Sequence, residues 1–414
     1  MKKHRRPAPK KTRVADNLPD PLWEDSGPDA EGEDDLAPVQ PKRSQAVVTS
    51  TDWTTETILH QFERKTIELN PSFQRRDAWT PIRKSKFIES LMMGLPIPQI
   101  VLAEKKGKPG QFIVIDGKQR LLTLQQFAGA SDEHSAPALV LSGLSNLKDL
   151  KDKTYEQLKE DVRFTDHLEA FRNQPIRAVV VKNWPDENFL YLVFHRLNTG
   201  SVPLAPQELR QALHPGPFLA FANLRSAESK GIQESLRINK PDFRMRDVEL
   251  MIRFYGFKEF MDSYHGNMKG FLDETCSELN KRWSSEERTI RGMADELDKA
   301  IAESTKVFPK GELFSLWLDS AYEGRFNRTV FDIFTFYLSL PKARKAIIGK
   351  HGKVRALFQK LCATNEGFRQ SLQVTTKSLG AVNTRFSTFG RALARMTRIR
   401  LPIPTLNDKR LTLK

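Results

Sequence analysis

The spacing of hydrophobic positions changes near residue 217. Ahead of that point, short runs rich in β-branched residues alternate with stretches whose apolar residues recur every three or four positions, the pattern of strands interleaved with helices. Thr57–Glu63 reads as a short helix and Thr66–Leu69 as a strand ended by Asn70-Pro71. Thr80 is placed to cap a helix with Pro81 in its first turn, and Phe87, Ile88, Leu91 and Met92 share one face of it before Gly94 and Pro96 stop it. Gln99–Ala103 and Gln111–Ile115 flank a Lys/Gly/Pro turn and predict a hairpin. The second of these strands runs into Asp116-Gly117-Lys118-Gln119-Arg120, after which Leu121, Leu122, Leu124 and Phe127 mark the inner face of a helix. Residues 129–175 read as a polar insertion with helical pieces, and Ile176–Lys182 as a strand. Asp186–Leu197 is a predicted helix that stops at Asn198-Thr199-Gly200, and another starts near Pro206 and ends around His214.

Beyond residue 217 strand signals vanish and helical periodicity takes over, as in Val248–Phe260, Asn267–Trp283 and Arg288–Phe308. The pattern therefore predicts an α/β (α+β) domain over residues 46–216 and a mainly α-helical domain over 217–414, with order beginning near Thr54. Residues 1–45 read as a disordered tail: Met1–Arg13 carries seven Lys and Arg, Asp16–Asp35 carries nine acidic residues and no basic one, and Pro recurs throughout. Such blocks bury too little apolar surface to offset chain entropy.

Composition and short motifs sharpen this picture. A chain of 414 residues with 39% hydrophobic residues and 26 Phe has material for two cores. The net charge of +15, from 66 Lys and Arg against 51 Asp and Glu, points to a polyanionic partner, DNA above all, and the run Arg385, Arg391, Arg395, Arg398, Arg400 is its densest expression. The two cysteines, Cys276 and Cys362, form no CxxC pair, which argues against a disulfide framework and for a reducing, cytoplasmic setting. No apolar run approaches the ~18 residues of a membrane span, and the basic N-terminus lacks the apolar segment of a signal peptide. Four Gly-Lys pairs, at Gly107, Gly117, Gly349 and Gly352, lack a following Ser or Thr, so there is no P-loop. The eight histidines make no HxxxH pair and no HNH-type cluster.

Three segments carry candidate chemistry. In Ile113–Leu121 a strand passes through a glycine turn into a helix. The free first-turn amides of a helix make an anion site, and Gly117 would let a phosphate approach the backbone. Lys118 and Arg120 add full charges, Arg120 as an exposed side chain of little weight for stability. Asp116 is placed either to cap the helix or to hold a divalent cation on the phosphates. In Asn70–Trp79, Gln74, Arg75 and Arg76 precede a helix, and Trp79 is placed to stack on a base or simply to pack. In Phe194–Arg210, a helix ending in Arg196-Leu197-Asn198-Thr199-Gly200 is followed by Gln207 and Glu208, which are equally consistent with ordinary helix-stop and helix-start residues.

The order of these segments, Gln74-Arg75 to Trp79, then Asp116-Gly117-Lys118-Gln119-Arg120, then Arg196 to Gly200 with Gln207-Glu208, resembles the DUF262 family, the ParB-like N-terminal domain of GmrSD-type genome-defence proteins. The family hallmark is an Asp-Gly-Gln-Gln-Arg box, whose first Gln is Lys118 here. The resemblance covers roughly residues 45–215, and Arg244–Leu250 and Asn383–Ser387 look like the helical continuation found in single-domain members. It implies a ParB/sulfiredoxin-like fold and binding of a nucleoside triphosphate with Mg²⁺. Gln74, Arg75, Gly117, Lys118, Gln119, Arg196 and Asn198 would bind the nucleotide. Asp116, Arg120 and Glu208 would serve catalysis, with Asp116 as metal ligand. The implied role is NTP hydrolysis in a prokaryotic DNA-restriction or anti-phage system, with a partner nuclease or a homo-oligomer and no membrane. The alternatives are a ParB-like DNA-binding adaptor without turnover and a DNA nickase acting through the same box.

Overall fold

The computed structural model describes residues 46–67, 78–129, 137–197, 205–374, 376–407 and 410–413. The tail 1–45, the end of the strand expected at Thr66–Leu69, and the candidate site residues Gln74, Arg75 and Asn198 lie outside them. The first half of the chain builds one small mixed sheet from β1 (Val47–Thr54), β2 (Ile100–Glu104), β3 (Phe112–Asp116) and β4 (Pro175–Lys182), in the order β1-β4-β2-β3. The predicted hairpin is the antiparallel β2–β3 pair; β4 lies parallel to β2 and antiparallel to β1. Ile67 adds a parallel bridge to Phe112 on the outer side of β3. Order begins earlier than the expected Thr54, because β1 is an edge strand. Its residues Val47–Asp52 are exposed on both faces, so no apolar alternation announces it.

Strand β2 shows why a continuous apolar run is needed at the centre of the sheet. Ile100 and Leu102 face one side and Val101 and Ala103 the other, and all four are buried. The first side is covered by α1 (Thr55–Glu63), α2 (Pro81–Met92), α3 (Lys118–Ala128) and, after the short α4 (Tyr155–Glu160), α5 (Thr165–Asn173). The apolar faces of α2 and α3 are those predicted, and Thr80 caps α2 by accepting the Arg83 N–H at 3.3 Å. The second side is covered by α6 (Glu187–Leu197) and α7 (Pro206–Leu213), through Leu190, Tyr191, Phe194 and Leu209.

From residue 217 onward the chain is mainly helical: α8 (Pro217–Glu228), α9 (Lys230–Leu236), α10 (Arg246–Glu259), α11 (Met268–Val307), α12 (Arg328–Ser339), α13 (Pro341–Ile347), α14 (His351–Thr364), α15 (Glu366–Gln373) and α16 (Leu379–Thr397). The two helices expected over Asn267–Trp283 and Arg288–Phe308 join as α11, with non-helical backbone at Glu286 between them. The expectation of no strands here is corrected by two hairpins, β5 (Ser315–Leu318) with β6 (Ala321–Phe326) and β7 (Pro404–Asn407) with β8 (Arg410–Leu413). The first turns on Asp319 and Ser320, both at positive φ, a primed-type turn made without the glycine that usually signals it. Arg385 is also corrected. It is fully buried, donates to the Thr376 carbonyl and stands 3.7 Å from Asp332, whose carboxylate receives Arg253 at 2.6 and 3.1 Å.

Helix α7 ties the sheet layer to the helical region. Arg210, fully buried, donates through Nε to Asp273 Oδ1 of α11 at 2.6 Å, and Lys269 Nζ donates to Asp273 Oδ2 at 2.8 Å. Lys269 also lies 4.0 Å from the centre of the Tyr191 ring. Burial pushes the Asp273 carboxyl up, but Arg210 and Lys269 outweigh it and hold its pKa below the ordinary value. A depressed carboxylate contributes stability above its unfolded-state pKa of about 3.9 and loses it as pH falls through the folded value. Asp273→Asn should therefore cost about 3–5 kcal/mol at pH 7, because it strands a buried guanidinium. Urea unfolding should show that deficit shrinking as pH falls below about 4; a deficit of constant size across that range contradicts the assignment.

Candidate active site

Strand β3 ends at Asp116, and the chain turns into α3 through Gly117 at φ +93°. A Cβ at Gly117 would lie 2.7 Å from Ile100 Cγ2 and 3.2 Å from Arg120 Nη2. The glycine is thus required by a left-handed turn packed against β2, and the space read from the sequence as room for a phosphate is held by Ile100 and Arg120. Asp116 braces the same turn: Oδ1 accepts the Gly117 N–H at 2.6 Å and Oδ2 accepts Arg120 Nη2 at 3.1 Å. Arg120 Nη2 also donates to the Gln99 carbonyl at 2.9 Å, where β2 begins. Arg120 is 7% exposed, which corrects the expectation of an exposed cation. Asp116 is also no first-turn cap, since Gly117 holds the cap position without a side-chain bond.

Lys118 is buried as well, and Nζ makes a short ion pair with Glu208 Oε1, each side chain being 5% exposed. The other oxygen of Glu208 accepts the Ala205 N–H at 2.7 Å. Ala205 has no side-chain acceptor to return the bond, so only the Glu half of a capping box exists at the start of α7. The ordinary helix-start role is therefore real, and Glu208 carries a second one: it joins the third sequence segment to the box. Two polar atoms of the box remain without a partner among the described residues, Gln119 Oε1 and Arg120 Nε, and nearby on α7 so do Gln207 Nε2 and Gln211 Oε1. Buried polar atoms of this kind are costly unless something completes them. Arg196 lies exposed near the end of α6.

Among the described residues, one group of three His, Cys, Asp or Glu side chains brings ligand atoms within 4.8 Å of one another: Glu187, His214 and Asp273. Asp116 is not part of it. His214 Nε2 stands 3.2 Å from Glu187 Oε2 and 4.0 Å from Asp273 Oδ1. Because Arg210 and Lys269 already neutralise Asp273, a divalent cation here would face two fixed positive charges, and the group is better described as an ion-pair network. Sequence reading passed over Lys269 and Asp273. Their signal was an i, i+4 pair of opposite charges on the stripe of α11 that also carries Leu272, Cys276 and Leu279.

Residues 56–215 match the family model described as GmrSD restriction endonuclease, N-terminal domain. The match spans β2, β3 and β4 but not the edge strand β1, and takes in the box and α7 with both partners of the Lys118–Glu208 pair. No curated protein and no solved structure matches the chain.

Removing the Arg120 side chain deletes its bonds to Gln99 and Asp116 and opens the turn. Arg120→Ala should lower the unfolding free energy by about 1–3 kcal/mol, the scale for leaving buried polar partners unsatisfied. A melting temperature equal to that of the wild type would show that the bracing does not hold in solution.

Proposed function

We propose, from the premise that residues 56–215 form a domain of the GmrSD N-terminal family, that the protein is a nucleotide-binding, NTP-hydrolysing component of a prokaryotic DNA-restriction or anti-phage defence system. The observation that carries this reading is the contact between Lys118 and Glu208. It brings two motifs that lie 90 residues apart to one buried point beside the turn into α3. In the same reading, residues 46–216 are a ParB/sulfiredoxin-like nucleotide-binding domain, 217–414 a helical domain, DNA the partner and a separate nuclease the cutting agent, in the cytoplasm. That no helix among the described residues is long and apolar enough to cross a membrane is consistent with this setting.

The chemistry asked of the box is positioning and charge neutralisation, which dominate phosphoryl transfer. The unpartnered Arg120 Nε, beside the first-turn amides of α3, supplies donors that a phosphate completes. Lys118 and Arg120 are held by carboxylates that a triphosphate can replace, so binding is an exchange of anions around fixed cations. Glu208, released from Lys118, becomes a base within reach of an attacking water. Gln74, Arg75, Arg196 and Asn198 complete the nucleotide contacts. Asp116 is the carboxylate placed to hold Mg²⁺, which supplies charge neutralisation on the phosphates when bound.

One observation favours the second reading, a DNA-binding adaptor without turnover: both box cations already have protein partners, as in a closed structural turn. Calorimetric titration with each of the four NTPs and Mg²⁺, followed by phosphate release with and without DNA, separates the two. Binding of at least one NTP is expected. Asp116→Ala should then lower turnover more than affinity, because the phosphates keep Lys118, Arg120 and the backbone donors. Absence of both binding and phosphate release under every condition gives the adaptor reading the field.

A further inference from the structure

Charge is not spread evenly along this chain. Residues 333–414 hold 17 Lys and Arg and two acidic residues, Glu366 and Asp408, and the difference of +15 equals the net charge of the whole chain. Residues 1–332 are balanced, with 49 basic and 49 acidic side chains. Within the basic segment Arg391 and Arg395 stand four residues apart on α16, Arg398 ends the helix at φ +59° and Arg400 lies just beyond, and all four are exposed. Exposed Lys342 and Lys345 lie on α13 and exposed Lys353 on α14, and both helices pack against α16.

None of these seven side chains has an acidic partner among the described residues, so their charges stand together without internal compensation. Like charges four residues apart destabilise a helix, and a surface without counter-charges repels itself. A face with this composition is stabilised by an external polyanion. We propose that the surface formed by α13, α14 and the C-terminal half of α16 is the DNA-contact face of the protein, gripping duplex DNA by its phosphates without reading bases. The guanidinium fork suits a phosphate, and phosphate and sugar take roughly half to two-thirds of protein–DNA hydrogen bonds. An anionic membrane is the other polyanion to consider. Lipid-binding helices need an apolar face beside the cations, and the apolar side of α16 is buried: Val382, Phe386, Phe389 and Leu393 face the core.

The proposal rests on the reading that the protein meets DNA, and it is independent of the nucleotide box. Its test uses the full chain and fluorescence anisotropy with a mixed-sequence 30-base-pair duplex. The triple variant Arg391→Glu, Arg395→Glu, Arg398→Glu is compared with a control of equal charge change on exposed side chains of the insertion in the first half of the chain, Lys151→Glu, Lys159→Glu, Arg163→Glu. The expected result is a loss of affinity of more than about tenfold in the α16 variant, with the slope of log K against log salt reduced by about 2.7, the value for three phosphate contacts. The control should stay within a few-fold of wild type, and nucleotide turnover without DNA should be unchanged in both. If the wild type binds the duplex and the two variants weaken equally, the face is wrong while the DNA reading stands. If the wild type fails to bind any duplex at low salt, the proposal and the DNA reading fall together. Binding to phosphatidylserine vesicles but not to DNA overturns it in favour of a membrane surface.

Discussion

Glu208, Leu209 and Arg210 are consecutive residues of α7, and each is committed to a different part of the molecule: Glu208 to Lys118 of the box, Leu209 to the second core of the sheet, Arg210 to Asp273 of the helical region. Successive helical residues diverge by about 100°, so eight residues suffice to address three neighbours. The two ionic contacts are buried, and an ion pair in that setting stabilises only when its geometry is right and its remaining lone pairs are satisfied. Glu208 meets the condition by accepting the Ala205 N–H, and Asp273 by receiving Lys269 as well as Arg210. A shift of α7 by an ångström would leave both pairs imperfect at once. That constraint holds the sheet, the turn into α3 and the start of α11 in one arrangement.

The same constraint bears on what the box can do. A cation already matched by a carboxylate is not free charge waiting for a ligand; it is preorganised charge whose partner can be exchanged. The exchange is favourable only if the incoming group offers more donors and acceptors than the carboxylate did. The unsatisfied Arg120 Nε and Gln119 Oε1 mark where the present arrangement falls short. Moving Glu208 away from Lys118 also loosens the first turn of α7, and therefore the neighbourhood of Arg210 and Asp273. Any ligand that displaced Glu208 from Lys118 would therefore act on the seating of the helical region through one short helix.

Much of the sheet layer was legible because its signals are local. Thr80 with Pro81, the apolar stripe of α2, the turn between β2 and β3, and the leucines of α3 each lie within a dozen residues. Strand β1 was not legible because both its faces are wet, and the β5–β6 hairpin because Asp319 and Ser320 take a turn that glycine usually announces. In the site, the residues of the box were found by type and spacing, but not their state. Burial of Arg120 follows from the approach of the chain at the start of β2, with its bond to Gln99 spanning 21 residues, and the pairings of Lys118 and Arg210 span 90 and 63 residues. No periodicity encodes contacts at that range. What was visible at best was the anomaly they leave behind, a charged pair such as Lys269 and Asp273 set in an apolar stripe.

Arginine serves two opposed purposes in this chain, and the distinction is one of solvation. Arg210, Arg253 and Arg385 are fully buried. Each must be compensated inside the protein, and its carboxylate or carbonyl partners are fixed by packing. Arg391, Arg395, Arg398 and Arg400 are hydrated, need no internal partner for stability, and have none among the described residues. Arg385 and Arg391 sit on the same helix six residues apart, about 120° around its axis, so α16 carries both kinds on different faces. A sequence count that adds them together overstates the charge presented to a partner. Weighting each cation by its exposure moves the positive field off the box, where Lys118 and Arg120 are neutralised, and onto α13, α14 and the end of α16. The exposed cations of that surface make none of the contacts that brace the box, which are those of Asp116, Gln99 and Glu208.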